Sequence, residues 1–191
     1  MAFDGITISN IVHDLNNTIL GGRLYKIAQP ESDELLLTIK TGQGQFRVVL
    51  SSNASLPLAY ITDDNKPSPA TAPNFVMLLR KHINNGRIIS ITQPSFERII
   101  DIEIEHLDEL GDLCRRHLIT EFMGKHSNII LCDDKNNILD SIKHVSAQMS
   151  SVREVLPGRT YFIPNTAGKH NPMDTDYERF STSVLICPKP L

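Results

Sequence analysis

The segment LITEFMGKHSNIILC, residues 118–132, contains two apolar runs on either side of a polar stretch. The runs, Leu118–Phe122 and Ile129–Cys132, have the β-branched and aromatic content of strands. Gly124 lies between them, and a glycine there weakens a strand or marks a close approach of the backbone. We therefore predict two strands that are joined by a tight connection at the rim of a sheet.

The predicted connection carries four polar side chains in a row. They are the ammonium of Lys125, the imidazole of His126, the hydroxyl of Ser127 and the carboxamide of Asn128. Groups of these kinds bind phosphate oxygens and base edges together, so they are candidate RNA contacts. The alternative is a solvated turn without a binding role.

Composition limits the class of protein. The chain has 191 residues, 40% of them hydrophobic, which suits one domain, or one domain and a tail. Its net charge of −3 gives no overall nucleic-acid signal, so a basic surface must be local. The three cysteines are odd in number and lack CxxC spacing, which indicates a reducing compartment. Without a signal peptide or an apolar run of roughly 20 residues, we expect a soluble, cytoplasmic protein.

The first half of the chain predicts a helix, an antiparallel meander and a second helix. Helical spacing of apolar residues indicates a helix over Thr7–Leu20, capped by Thr7 or Ser9. The predicted strands are Arg23–Gln29, Glu34–Lys40 and Gln45–Ser51. The proline-rich residues 53–73 predict a loop with one short strand at Tyr60–Thr62, and Pro73 then introduces a helix over Asn74–Ile83.

The second half predicts mostly sheet. Further strands are predicted at Arg87–Ile91, Ile100–Glu105, Leu113–Phe122, Ile129–Cys132 and Ile138–Lys143. Pairing of apolar residues with each other and of opposite charges across strands predicts that Ile102 faces Leu118 and that Glu105 faces Arg115. A helix is expected to begin at Asp174–Phe180, and Ser183–Leu191 to be an unpacked tail. The predicted fold class is α+β, with antiparallel sheets or a β-sandwich and flanking helices.

Charge is segregated along this half. Residues 101–112 hold six acidic and no basic side chains, whereas the flanking segments have a net positive charge. Candidate RNA-binding residues in those segments include Arg80 and Lys81 on the second helix, the adjacent pair Glu97 and Arg98, and Lys143 and His144 after the last strand. A neighbouring carboxylate can hold an arginine in the orientation that suits phosphate or guanine. The alternative is that acids and bases pair across the sheet.

Catalytic patterns are missing from the sequence. It contains no P-loop, GxGxxG or GxSxG motif, and its histidines and cysteines do not have zinc-site spacing. We therefore predict no catalytic residue, metal or cofactor.

Several short motifs resemble one known family. They are Phe3-Asp4-Gly5, Gly21-Gly22-Arg23, residues 33–37, residues 75–82, residues 121–131, Asp140-Ser141-Ile142-Lys143-His144 and Leu156-Pro157-Gly158. In this order they resemble the N-terminal domain of the NFACT family, which includes bacterial RqcH, eukaryotic NEMF and proteins called fibronectin-binding protein A. The resemblance covers residues 1–175 and leaves 176–191 as a tail or the start of a further helical region.

The resemblance implies a role in ribosome-associated quality control. Members of the family bind a large ribosomal subunit with a stalled nascent chain and recruit charged tRNA, alanyl-tRNA in bacteria, for untemplated C-terminal tailing. The domain is expected to resemble the N-terminal domain of formamidopyrimidine DNA glycosylase. The family's Asp-Arg pair, needed for tailing, corresponds to Glu97 and Arg98. Glu97 is one methylene longer than the family's aspartate, and this difference is expected to affect tailing activity and not the fold.

Two other functions are consistent with the resemblance. One is a fibronectin-binding adhesin, against which the lack of a signal peptide counts. The other is a glycosylase-like DNA binder without catalysis, because the glycosylases use an N-terminal proline followed by glutamate, and this chain has Ala2 and Phe3. The leading interpretation is an RNA-binding domain with tRNA and the large ribosomal subunit as partners.

Overall fold

A computed structural model describes residues 3–108, 110–164, 176 and 178. Within these residues the chain forms two α-helices and one nine-stranded sheet in which every neighbouring pair is antiparallel. The predicted α+β class is confirmed. The predicted likeness to a glycosylase domain stays a prediction. The expected helix at Asp174–Phe180 and the expected tail at Ser183–Leu191 lie outside the described residues, apart from 176 and 178.

Helix α1 spans Gly5–Ile19 and begins two residues earlier than predicted. Its N-cap is Asp4, whose carboxylate accepts a hydrogen bond from the Thr7 backbone N–H at 2.7 Å. The same hydrogen bond lowers the pKa of Asp4. The prediction of Thr7 or Ser9 as the cap was wrong, because an aspartate three residues before a free N–H satisfies that donor equally well.

The other elements follow the predicted order. They are β1 (Arg23–Glu31), β2 (Glu34–Thr41), β3 (Gly44–Ser51), β4 (Leu58–Thr62), α2 (Asn74–Ile83), β5 (Arg87–Thr92), β6 (Ile99–Leu107), β7 (Leu113–Glu121), β8 (Asn128–Asp133) and β9 (Ile138–Ser141). Strand β9 ends two residues before the predicted Lys143. The backbone of Lys143 bonds to the Asn128 side chain instead of continuing a strand ladder.

The sheet consists of two meanders, β1–β4 and β5–β9, in the order β4-β3-β2-β1-β5-β6-β7-β8-β9. The meanders meet where Arg23 of β1 pairs with Arg87 of β5. The predicted register of β6 against β7 is confirmed, since Ile102 faces Leu118 and Glu105 faces Arg115.

One hydrophobic core joins both meanders and both helices. It includes Leu35 and Leu50 of the first meander, Leu118 and Phe122 of the second, and Ile8 of α1. A smaller cluster of Ile99, Ile119, Ile130, Cys132, Ile138 and Val155 lies on the other side of the second meander, where residues 145–163 cover it. Burial raises the pKa of the Cys132 thiol to about 12, so this cysteine is a packing residue. Neither helix in the described part of the chain is long and apolar enough to cross a membrane.

Candidate nucleic-acid interface

The ends of β6, β7, β8 and β9 gather several predicted site residues. The Phe122 N–H donates to the Arg98 carbonyl at 2.9 Å, Glu121 pairs with both Ile99 and Asn128, and the Ile142 N–H donates to the Ile129 carbonyl at 2.8 Å. Residues 97–98, 123–127 and 142–144 therefore lie at one end of the second meander, which we call the rim. It carries Glu97, Arg98, Lys125, His126, Lys143 and His144.

The predicted connection between β7 and β8 is a single 3₁₀ turn over Gly124–His126. Gly124 has a φ of +58°, which favours glycine, and the Ser127 N–H donates to its carbonyl at 3.0 Å. The Ser127 hydroxyl accepts a hydrogen bond from the Met123 N–H at 2.8 Å. These bonds fix the turn and leave the side chains of Lys125 and His126 exposed.

Asn128 binds the backbone of the chain after β9. Its Nδ2 donates to the Lys143 carbonyl at 2.8 Å, and its Oδ1 accepts from the Lys143 N–H at 3.1 Å and from the Ile129 N–H at 2.9 Å. Asn128 is 2% and Ser127 1% exposed. The predicted role of these two side chains as RNA contacts does not fit this arrangement, because their polar groups are already used inside the protein.

Lys143 connects the rim to the first meander. Its Nζ donates to the Ser52 carbonyl, just after β3, and to the Ser127 carbonyl at 3.2 Å. Burial lowers the pKa of Lys143, and the charge of Asp33 acts in the opposite direction. Lys143 was predicted to contact phosphate, but in this structure its ammonium holds two backbone segments together.

The Glu97–Arg98 segment follows a strained bend. Ser95 and Phe96 have φ values of +49° and +58°, a left-handed conformation that is uncommon for a bulky residue. The Gln93 Nε2 donates to the carbonyls of Gly5 and Glu97, both at 2.9 Å. Such strain persists only where surrounding contacts enforce it, and it is concentrated at functional sites.

Gly5 makes room for this bend. A Cβ atom at position 5 would lie 2.8 Å from the ring of Phe96 and 2.8 Å from its carbonyl oxygen. Sequence reasoning did not find Gln93, Gly5 or Phe96 as supports of Arg98. The Phe3-Asp4-Gly5 motif marked Gly5 in the sequence, but the sequence does not show that Gly5 lies against Phe96 in the fold.

The remaining predicted residues divide between the rim and α2. His144 stays at the rim, with its Nε2 2.6 Å from Asp140 Oδ1. Arg80 donates from Nε and Nη2 to the Ile27 carbonyl, at 3.2 and 2.8 Å. The last turn of α2, which carries Arg80 and Lys81, leads into β5 at Arg87, whose register partner is Glu105 at the other end of β6. The structure does not bring these two residues together with the rim.

The acidic side chains of β6 pair with bases on β7. Arg115 lies 3.3 Å from Glu103 and 4.0 Å from Glu105, and His117 lies 3.1 Å from Asp101. The predicted alternative of cross-strand pairing is therefore found here. Among the described residues, no three His, Cys, Asp or Glu side chains are grouped so that they could hold a metal ion.

We expect the His117–Asp101 pair to make stability depend on pH. The hydrogen bond to Asp101 raises the pKa of His117, against the opposing effect of burial. A raised folded-state pKa contributes stability that is complete below the unfolded pKa, about 6.5, and is lost as the pH rises through the folded pKa. Urea unfolding between about pH 6 and pH 9 should show this loss in the wild type and a smaller one in Asp101→Asn. Equal pH dependence of both proteins would contradict it.

Comparison with known proteins identifies the family. The family model described as the NFACT N-terminal and middle domains matches residues 4–189. The chain belongs to the NFACT family. Among curated relatives, the Rqc2 homolog RqcH of Bacillus subtilis is 40% identical over 91% of this chain and 31% of that protein. The human ribosome quality control complex subunit NEMF is 24% identical over 98% of this chain and 16% of that protein.

Two solved structures of similar proteins have the same fold. The N-terminal domain of the fibronectin-binding protein PavA of Streptococcus pneumoniae matches with a TM-score of 0.90 and 35% identity, over 98% of this chain and 70% of that chain. The N-terminal part of the fibronectin/fibrinogen-binding protein of Streptococcus suis also gives a TM-score of 0.90, with 33% identity, over 100% of this chain and 71% of that chain. The chain spans about a third of the length of the bacterial RqcH relatives.

Proposed function

We propose that this NFACT domain binds RNA in ribosome-associated quality control. In this role it recruits charged tRNA, alanyl-tRNA in particular, to a large ribosomal subunit that holds a stalled nascent chain, for untemplated C-terminal tailing. The names of relatives in bacteria, human and yeast, which refer to Rqc2 or to ribosome quality control, support the proposal. Its action is binding and positioning, with no catalytic residue.

The observation that carries the proposal is the braced Glu97–Arg98 segment beside the Lys125–His126 turn. The backbones of the two segments meet at the Arg98–Phe122 hydrogen bond of 2.9 Å. Arg98 therefore lies at the same end of the sheet as the turn that carries the exposed side chains of Lys125 and His126. Because the bend is already fixed, little conformational entropy remains to be lost when RNA binds.

The expected chemistry at the rim is recognition of phosphate and base edges. The guanidinium of Arg98 can donate two parallel hydrogen bonds to a phosphate or to a guanine. Lys125 adds a positive charge, and His126 and His144 add ring nitrogens for sugar or phosphate oxygens. Glu97 precedes Arg98 and is proposed to orient it.

Replacing Arg98 with alanine should weaken tRNA binding without unfolding the domain. Loss of a bidentate arginine contact costs about 1–3 kcal/mol of binding free energy. The Arg98 carbonyl, which pairs with Phe122, is unaffected, so the melting temperature should not change. Fluorescence anisotropy with labelled tRNA measures the affinity, and Lys135→Ala in the exposed β8–β9 turn is the matched control. Equal affinities of the two variants would refute the role of Arg98.

The fibronectin-binding names of the two solved structures give a second candidate function. Surface labelling of intact cells distinguishes it, because an adhesin must be labelled from outside and a ribosome factor must not. Two results together would favour the adhesin. The wild type would bind no tRNA, and both the wild type and Arg98→Ala would bind immobilised fibronectin.

A further inference from the structure

A row of charged residues crosses the sheet away from the rim. Lys40 on β2 pairs with Arg23 on β1, Arg23 with Arg87 on β5, Arg87 with Glu105 on β6, and Glu105 with Arg115 on β7. Directly opposite residues of antiparallel strands point to the same face of a sheet. We call these five residues the cross-sheet row. Four bases and one acid give 4 − 1 = +3, and five strands span about 19 Å.

Ion pairs within the protein account for one end of the row only, where Arg115 lies 4.0 Å from Glu105 and 3.3 Å from Glu103. At the other end Arg23 donates to the Asn85 carbonyl at 3.2 Å, which leaves its charge uncompensated. In the part of the chain that the structure describes, no carboxylate oxygen lies within 4.0 Å of a side-chain nitrogen of Lys40, Arg23 or Arg87. All three side chains are exposed. Like charges directly opposite each other destabilise a sheet, so this arrangement works against folding. An external anion would remove the repulsion.

An aromatic ring is built into the same surface. Tyr25 lies at an irregularity of β1, where the register against β2 shifts between Leu24 and Lys26. It is 52% exposed, and the Nζ of Lys40 lies 3.4 Å from the centroid of its ring. A cation over an aromatic face is held in place while its charge is kept. Nucleic-acid surfaces combine cations with exposed rings in this way, because the ring can also stack on a base.

We propose that the cross-sheet row and Tyr25 form a second RNA-binding surface that takes the phosphate backbone. Glu105 lies six residues along β6 from Ile99 at the rim, about 20 Å away. A single RNA that contacts both surfaces has to pass Asp101 and Glu103, which share the face of Glu105 on β6 and are paired with His117 and Arg115 of β7. The inference rests on the proposed function in one respect only, namely that the ligand is RNA.

The test compares two double variants that remove the same charge. Lys40→Gln/Arg87→Gln changes the row, and Lys135→Gln/Arg159→Gln removes two exposed bases outside it. Labelled tRNA and a labelled oligouridine are titrated over a salt series. A plot of the logarithm of the binding constant against the logarithm of salt concentration should have a slope that is smaller in magnitude by about 1.5 in the row variant than in the wild type. At low salt the row variant should bind about tenfold more weakly. The melting temperature of the row variant should stay the same or rise.

Tyr25 provides an independent arm of the test. Tyr25→Leu should weaken oligouridine binding by at least about fivefold, whereas Tyr25→Phe should keep it. If the row variant and its control have the same affinity and slope, the inference is wrong. It is also wrong if the row variant loses heparin binding but keeps RNA binding, since the ligand is then a sulfated polysaccharide.

Failure of the inference can be told from failure of the proposed function. If Lys125→Gln loses RNA binding and the row variant keeps it, the proposal of a second surface is wrong and the proposed role of the rim stands. If the row variant loses RNA binding and Lys125→Gln keeps it, the cross-sheet row is supported as an RNA-binding surface and the proposed role of the rim is wrong. A wild-type domain that binds no RNA at low salt overturns both.

Discussion

Replacing Arg153 with methionine is expected to lower the free energy of unfolding by about 3–5 kcal/mol, the cost of breaking a buried ion pair. The Arg153 Nη2 donates to one carboxylate oxygen of Glu121, and the Tyr161 hydroxyl donates to the other at 2.9 Å. Glu121 is 0% exposed, so its charge would be left with the phenol alone. Arg153 also holds the Phe162 carbonyl at 2.7 Å, which fastens residues 145–163 over the sheet. Urea denaturation measures the change.

The electrostatics of this buried group agree with that expectation. Burial opposes the charge of Arg153, but the Glu121 carboxylate and Tyr161 together outweigh it and raise the pKa of the guanidinium. Burial and the same carboxylate raise the pKa of Tyr161, so its hydroxyl keeps the proton that it donates. The three side chains therefore satisfy one another only as a complete set.

A matched control is available on the surface. Arg159 lies 2.9 Å from Glu154 and its side chain is 61% exposed, so Arg159→Met should cost no more than about 1 kcal/mol. The double variant Glu121→Gln/Arg153→Met should recover part of the stability, because no charge is then left buried. Equal losses in Arg153→Met and Arg159→Met would show that burial of the pair does not matter.

Local patterns were enough to predict most of the fold. The alternation of Ile100, Ile102 and Ile104 with acidic residues fixed the face and the register of β6, because a shift by one residue would expose every isoleucine. The helix α2 was predicted with its observed ends, since Pro73 favours the start of a helix and Asn85-Gly86 after Ile83 favours its end. The end of β9 could not be predicted, because it depends on a hydrogen bond between the Lys143 N–H and the side chain of Asn128, 15 residues earlier.

The candidate site was harder to predict because its residues differ in burial. Sequence identified the segments that form the rim, and Lys125 and His126 are exposed there as expected. It could not distinguish them from Ser127 and Lys143. The Ser127 hydroxyl is used by the Met123 N–H within the same turn, and the Lys143 ammonium by the carbonyl of Ser52, far away in sequence. The cross-sheet row was missed for a similar reason. Lys40, Arg23 and Arg87 are far apart in sequence and become neighbours only through strand register.

Replacing Asn128 with alanine is expected to lower the free energy of unfolding by about 2–4 kcal/mol and to weaken tRNA binding as well. The substitution removes three hydrogen bonds and takes away the acceptor of the Lys143 and Ile129 N–H groups, whereas the Lys143 carbonyl keeps its hydrogen bond from the Ser141 hydroxyl. Within the described part of the chain, the segment that carries Lys143 and His144 would then be held to β8 only by the Ile142–Ile129 hydrogen bond and to the turn only by the Lys143 ammonium. Urea denaturation and anisotropy with labelled tRNA measure the two effects.

The pattern of loss separates a structural role of Asn128 from a direct contact. Asn128→Asp keeps the oxygen that accepts from Lys143 and Ile129 but cannot donate to the Lys143 carbonyl. If Asn128 shapes the rim, stability and tRNA affinity should both fall in the alanine variant, while exposed Asn65→Ala changes neither. If Asn128→Ala keeps its full stability and loses only tRNA affinity, the side chain must leave its buried position and contact RNA. In that case the geometry of the rim in the free domain is not the geometry that binds RNA.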